Sequence, residues 1–292
     1  MDKVLLIDGN FFIHRANTTF GPSVPHVRDG DACACGSPWH SEGFCYGQRY
    51  GSVFNFFRNL RPIIEQFTPD KCFFVLEGRP QFRYDLYSDY KANRIIKQAS
   101  KTPEQHEKFL QASDDILRIL KHFPITTARA SQYEADDVIA TLAEDMKSEK
   151  LTILSNDSDY IQLLQRGYKA CQIYNPIKKV FMEAPAYPYV AWKSLRGDKS
   201  DNIPALLKPK KALACVNSPE LFRKFLSVEE NRANFSINRQ LIEFRSVPLE
   251  EIDMQDGTRN FHVVKQEFIN MAFQSIIKSW QHYTETFDCL RY

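Results

Sequence analysis

Short apolar runs that end on an acid recur along the chain. Val4-Leu-Leu-Ile7 leads into Asp8-Gly9-Asn10, Lys71-Cys-Phe-Phe-Val-Leu76 into Glu77, and Leu151-Thr-Ile-Leu154 into Ser155-Asn-Asp157-Ser-Asp159. Such runs, bounded by turn formers, predict buried strands. Between the first two the period changes: Val53, Phe56, Phe57, Leu60, Ile63, Ile64 and Phe67 fall on one face of a helix, with Pro62 as a point where it can kink. Thr102-Pro103 predicts an N-cap and first helical turn. That helix carries Leu110, Ile116, Leu117 and Leu120 and stops by Pro124. Ile125 to Ala130 predicts a short strand, and Ser131-x-x-Glu134 a capping box opening the next helix. Further strands are expected within 168–174 and 180–182 and near Leu241 to Phe244, with an amphipathic closing helix from Ile269 to Trp280. Strands alternating with helices predict an α/β fold, and the chain holds no internal repeat or low-complexity tract.

The acids change the picture. Glu134, Asp136 and Asp137 crowd one helix start, and Asp157 and Asp159, two apart, share one side if the backbone stays extended. Asp198 and Asp201 add a further approach at a loop-to-helix junction. Acids in a first turn suit the positive end of a helix, so capping and solvation account for part of this. They do not account for acids after successive strands, which an α/β fold gathers at one sheet edge, where cations must offset their repulsion. A metal site and a solvated acidic edge both stay open on pattern alone.

With 292 residues the chain can hold one large domain or two. Its 38 basic and 36 acidic residues nearly cancel, so net charge says nothing about partners. Local charge says more. Arg79, Arg83, Lys91, Arg94 and Lys97 interleave with Phe82, Tyr84, Tyr87 and Tyr90, a pattern suited to phosphate contact and base stacking or to a solvated helix face. Lys208, Lys210 and Lys211 form a basic knot. Cys33, Cys35, His40 and Cys45 offer a zinc ligand set at non-standard spacing, against which stands a loop of free thiols. No apolar run reaches membrane-spanning length, and the opening strand is too short for a signal peptide. The odd count of seven Cys therefore points to a reduced, cytoplasmic setting.

Taken in order, Leu6-Ile-Asp8-Gly, Phe82-Arg83 with Tyr90-Lys91-Ala-Asn-Arg94, Glu134-Ala-Asp136-Asp137, Ser155-Asn-Asp157-Ser-Asp159 and Gly197-Asp198-Lys-Ser-Asp201-Asn resemble the motifs of the 5′-nuclease superfamily, and in length the T-even phage ribonuclease H branch. The resemblance implies a PIN-like α/β catalytic domain over residues 1–204, with a mostly parallel central sheet and a helical arch over about 79–123. A mainly helical DNA-binding region over 205–292 would follow. It implies two Mg²⁺ ions, with Mn²⁺ as a substitute. Asp8, Glu77, Glu134 and Asp136 would lie near one ion; Asp137, Asp157, Asp159, Asp198 and Asp201 would lie near the other. Lys91, Arg94 and Arg83 would steer the scissile phosphate, while Arg79, Lys97, Lys208, Lys210 and Lys211 would contact nucleic acid. The implied activity is removal of RNA primers and 5′ flaps from branched or nicked DNA and RNA–DNA duplex during replication. A single-strand binding protein or sliding clamp would be the partner of a monomeric enzyme in the (host) cytoplasm. Two departures bear on this. Glu77 stands where the family has Asp, and Ala205-Leu-Leu-Lys-Pro-Lys-Lys-Ala212 replaces a glycine-rich hairpin. They leave a catalytically inactive binder of branched DNA as the alternative.

Overall fold

The computed structural model describes residues 1–18, 40–41, 44–94, 102–168 and 170–291. Its strands are β1 (Lys3–Asp8), β2 (His40–Ser41), β3 (Phe44–Cys45), β4 (Lys71–Leu76), β5 (Thr126–Arg129), β6 (Lys150–Leu154), β7 (Cys171–Asn175), β8 (Val180–Phe181) and β9 (Asp253–Gln255). The helices used below are α1 (Gly9–Thr18), α2 (Tyr46–Phe67), α3 (Gln81–Leu86), α4 (Pro103–Leu120), α5 (Ala135–Asp145), α6 (Ile161–Leu164), α7 (Tyr189–Arg196), α8 (Pro209–Val216), α9 (Pro219–Leu226) and α10 (Glu229–Ile242). The C-terminal helices are α11 (Phe261–Asn270), α12 (Gln274–Ile277) and α13 (Trp280–Glu285).

Two compact units emerge, neither of them continuous in sequence. One comprises 1–76, 102–128 and 253–292, the other 77–101 and 129–252. A boundary at residue 204 is therefore not where the structure divides: 205–252 belongs with the residues before it, and 253–292 with the N-terminus.

In the first unit the strand order is β1-β4-β5-β9, with β1 and β4 parallel and Asp8 opposite Val75. β1 is apolar from Val4 to Ile7 and buried from Val4 onward, as expected of a parallel strand covered on both faces. The helical stripe of α2 is buried as patterned, and Pro62 sits on its exposed face without ending it. The core is aromatic. Phe57 stacks on Phe123 at 5.3 Å, and Tyr283 donates to the Phe57 carbonyl at 3.1 Å. α4 opens on a reciprocal Thr102–Gln105 capping box, but Leu110 on its flank is exposed. The closing segment is not one helix: Ala272, at φ +58°, breaks it between α11 and α12.

In the second unit β6 and β7 run parallel, as β1 and β4 do in the first, and β8 returns antiparallel. The reversal is local chemistry: the Asn175 side chain accepts from the Ile177 and Lys178 amides at 3.0 Å each, an Asx turn too tight for a crossover. α5 is capped by Glu134, not Ser131, with the Glu134 amide donating to Asp137 at 3.3 Å. The strand expected near Leu241 is the last turn of α10 followed by extended chain. That chain bonds to side chains instead of a ladder: Phe244 to Gln162 at 3.1 Å and Val247 to Thr141 at 2.9 Å. Four apolar residues cannot by themselves distinguish these outcomes. Among the described residues, no helix is long and apolar enough to cross a membrane.

Candidate metal centre

The second unit gathers most of the acids. After Glu77 the chain turns through Gly78, whose amide bonds the Tyr133 carbonyl at 2.9 Å; a Cβ there would lie 2.0 Å from the Ala130 carbonyl oxygen. The turn delivers Arg83 of α3 into the interior, 1% exposed. Its fork reaches Asp137 at 2.6 and 2.8 Å and Glu134 at 3.1 Å, while Nε donates to the Leu241 carbonyl at 3.2 Å. Burial opposes the Arg83 charge, but Asp137 and Glu134 more than offset it and raise its pKa. Asp137 is itself 0% exposed and also accepts from the Arg245 amide at 2.9 Å. This departs from expectation twice. Arg83 is enclosed rather than open to a phosphate, and both Asp137 oxygens are taken by a guanidinium, which leaves that residue no face toward an ion.

Lys91 and Arg94 follow on the same segment. Lys91 has φ +55°, its amide bonds the Asp201 carbonyl at 2.9 Å, and its Nζ lies 2.5 Å from Glu134 and 4.0 Å from Glu77. Burial disfavours the ammonium, Glu134 and Asp201 favour it, and the net shift is upward. Tyr90 donates to Glu134 at 3.1 Å and Arg94 to Asp201 at 2.5 Å. Asn93 and Asn202 cross-tie the two loops through the Lys199 and Asp89 carbonyls.

The Asp157-Ser-Asp159 stretch is not extended. Asp157 caps a 3₁₀ turn over Ser158–Tyr160 and accepts from the Asp159 amide at 2.9 Å; Tyr160 then donates to Asp136 at 2.6 Å. The Asp198 loop is set by Gly197 at φ +72° and by reciprocal backbone bonds with Ile203 at 3.0 and 2.7 Å. Between the two stands Lys193 of α7, 3% exposed, bonded to Asp159 and, at 2.6 Å, to Asp198. Burial pushes the Asp159 carboxyl up to about 6 against the pull of Lys193. Burial acts the same way on Asp198, but Lys193 and the Ser200 donors outweigh it and hold that carboxyl at about 2. Sequence reasoning missed Lys193. Its signal was the i, i+4 spacing with Tyr189, which puts both on the helix face that meets Asp159.

Two pairs of these acids share a partner, Glu134 with Asp201 through the Tyr90 hydroxyl and Asp159 with Asp198 through Lys193, while Tyr160 holds Asp136 and the Asp159 amide donates to Asp157. Five of the six, all but the buried Glu134, are half-buried. Among the described residues, no group of three or more His, Cys, Asp or Glu side chains converges as a ready metal cage, and Lys or Arg cations hold Glu134, Asp159, Asp198 and Asp201. The donor chemistry fits a hard divalent cation: every acidic ligand is an oxygen, and imidazole and thiolate are absent from this set. A groove of about 1280 Å³ within this unit runs from Asp157 and Asp198 past Lys193 and Arg196 to Lys208. Lys208, Lys210 and Lys211 are exposed at the start of α8. Arg79 is exposed, with its guanidinium 5.5 Å from the Tyr84 ring. Asp8 belongs to the other unit, 8% exposed and capping Phe11 at 3.0 Å. Cys33, Cys35 and Lys97 lie outside the described residues, while His40 pairs with Cys45 in the β2–β3 ladder.

Comparison with solved structures places this architecture among the PIN-like flap endonuclease folds. Flap endonuclease-1 from Methanococcus jannaschii superposes with a TM-score of 0.61 at 14% identity, over 99% of this chain and 92% of its own. The bacteriophage T5 flap endonuclease, in a complex with DNA and metal ions, gives 0.62 at 14% identity over 97% of both chains. The model of the 5′-3′ exonuclease N-terminal resolvase-like domain matches residues 3–187, and the chain belongs to that family, within the 5′-nuclease superfamily. DNA polymerase I of Streptococcus pneumoniae is 30% identical over 220 residues, 70% of this chain but 22% of the polymerase. A 5′-3′ exonuclease of Buchnera aphidicola is 27% identical over 85% of this chain and 77% of its own. The chain therefore spans about a fifth of the polymerases it matches.

Proposed function

We propose that this protein is a divalent-metal-dependent 5′-nuclease that hydrolyses phosphodiesters at 5′ flaps and RNA primers in branched or nicked DNA and RNA–DNA duplex, in the service of replication. The observation that carries the reading is the set of half-buried acids Asp136, Asp157, Asp159, Asp198 and Asp201 with the buried Glu134, of which Lys91 holds Glu134 and Arg94 holds Asp201. The kinship with DNA polymerase I and with exonucleases supports the replication role. The metal- and DNA-bound state of the T5 neighbour supports the use of divalent metal on a DNA substrate.

Glu77, Glu134, Asp136, Asp157, Asp159, Asp198 and Asp201 would hold the ions, two Mg²⁺ by preference with Mn²⁺ as substitute, some through water; Asp8 joins them by motif. When bound, the metal supplies a more acidic water and neutralises charge that develops on the phosphate. The chain's own contribution is placement. Tyr160 fixes the rotation of Asp136, Lys193 holds Asp159 and Asp198 toward one another, and the Asp198–Ile203 pairing fixes the loop. Lys91 and Arg94 would bind the phosphate, Arg79 and Lys97 the strand beside it, and Lys208, Lys210 and Lys211 the duplex backbone. A structural Zn²⁺ on Cys33, Cys35, His40 and Cys45 is part of the same proposal.

One observation favours a second reading, a binder of branched DNA that does not cleave: Glu134, Asp159, Asp198 and Asp201 already pair with Lys or Arg. Incubating a 5′-labelled flap duplex with wild type and Asp157→Asn, with and without Mg²⁺, separates the two. Metal-dependent release of short 5′ products by wild type alone supports the nuclease. Retarded but intact duplex under every divalent metal supports the binder.

A further inference from the structure

Lys91 is an unusual place for a cation to rest. It is 9% exposed, and its backbone lies in the left-handed region that a β-carbon disfavours. Such a conformation persists where its surroundings over-determine it. Here those surroundings are the Asp201 carbonyl on its amide, the Glu134 carboxylate on its ammonium, and Glu77 beyond. Three residues on, Arg94 holds an oxygen of Asp201 at 2.5 Å, with about half of its side chain in solvent. Tyr90, between these acids, donates to Glu134 and stands 3.4 Å from Asp201. One short segment thus places two cations on two acids of the candidate metal centre.

A carboxylate oxygen that accepts an ammonium cannot coordinate a divalent ion at the same time without forcing like charges together. Resting on the nuclease reading above, we infer that Lys91 and Arg94 are resident counter-cations of Glu134 and Asp201, that divalent metal reaches these acids by exchange with them, and that the displaced cations then seek a phosphodiester. Metal and nucleic acid then bind with positive coupling. Metal frees the two side chains for phosphate, and phosphate draws them off the carboxylates. Linkage makes the effect reciprocal. It also gives the ion pairs a use, because they neutralise a crowded acidic site until substrate and metal arrive together.

The test is calorimetric titration of the full chain with Ca²⁺ at fixed ionic strength, alone and saturated with a 5′-flap duplex checked afterwards to be uncut. Wild type, Lys91→Met, Arg94→Met, Glu134→Gln and Asp201→Asn are compared. Without DNA, Lys91→Met should bind Ca²⁺ about tenfold tighter than wild type, within the usual range of coupling between sites, and Arg94→Met severalfold tighter. The gain in Ca²⁺ affinity that DNA confers on wild type should shrink correspondingly in both. Arg94 is half in solvent, so its variant reports even if Lys91→Met folds poorly. Unchanged or weaker Ca²⁺ affinity in both variants, with binding still abolished by Glu134→Gln or Asp201→Asn, overturns the exchange and leaves the metal centre standing. Ca²⁺ binding indifferent to the two acid variants overturns both.

Discussion

Arg83 and Asp137 form a two-pronged pair, at 2.6 and 2.8 Å, sealed from solvent on both sides. The pair fastens α3 to the first turn of α5, and through Leu241 and Arg245 to the chain that leaves α10. Breaking one partner of a buried pair leaves the other charged in a dry site, which costs about 3–5 kcal/mol. Arg83→Met should therefore lower unfolding stability by about that amount in urea titration. Arg83→Met with Asp137→Leu should recover most of it, because no lone charge remains. A loss below about 1 kcal/mol, the scale of exposed pairs, would show that water reaches the pair.

How far the sequence spoke can be judged from this pair. The motifs of Arg83 and Asp137 suggested a phosphate contact and a metal ligand, and the structure pairs the two with each other instead. Their burial was not, because a sequence pattern gives neighbours along a helix and not what closes over them. Buried strands were legible where the apolar run was unbroken, as in β1. The Thr102 cap was legible because a cap is a local event. Three features were hidden because tertiary contacts settle them: the turn at Asp157, the end of α10, and the return of residues 253–292 to the N-terminal unit. Lys193 was hidden for another reason. A lysine in an amphipathic helix is usually a solvated one, and only the fold turns it inward.

Asp159 and Asp198 share Lys193 and depart from the ordinary value of 3.8 in opposite directions, which yields a signed pH prediction for the EDTA-treated protein. Asp198, held at about 2, stabilises the fold above pH 3.8, and this is lost as pH falls from 3.8 through 2. Asp159, raised to about 6, binds its proton more readily folded than unfolded, so its contribution falls as pH rises from 3.8 to 6. Urea midpoints across pH 2–7 should show a shallower acid limb for Asp198→Asn. Asp159→Asn should flatten the decline between 4 and 6. Identical profiles for the two variants would refute the asymmetric sharing of Lys193.

Gly197 ends α7 at φ +72° and ψ −179°, a region essentially confined to glycine. A Cβ there would lie 2.6 Å from the carbonyl oxygens of Ile203 and Pro204, which are backbone atoms that cannot swing aside. Gly197→Ala should cost about 1–3 kcal/mol in thermal or urea unfolding. It should also displace the loop that carries Asp198 and Asp201. If those acids serve the reaction, flap cleavage should fall by up to about a hundredfold, as small displacements of catalytic groups do, under conditions where the variant stays folded. Full activity in a destabilised protein would remove the loop from the catalytic machinery.

Lys208, Lys210 and Lys211 stand at the N-terminal end of α8, whose first turn has no acid. Cations at the positive end of a helix oppose its dipole, by about 0.3–1 kcal/mol each at low salt. Their presence there argues for a use other than stability. Replacing all three with alanine should raise the unfolding midpoint slightly while weakening duplex binding irrespective of sequence. The plot of log affinity against log salt should lose about two to three in slope, close to one per phosphate contact given up. The two readouts move in opposite directions, so poor folding cannot imitate the result. A variant that is more stable yet keeps the wild-type salt slope would place the duplex elsewhere on the protein and leave the three lysines without a role in binding it.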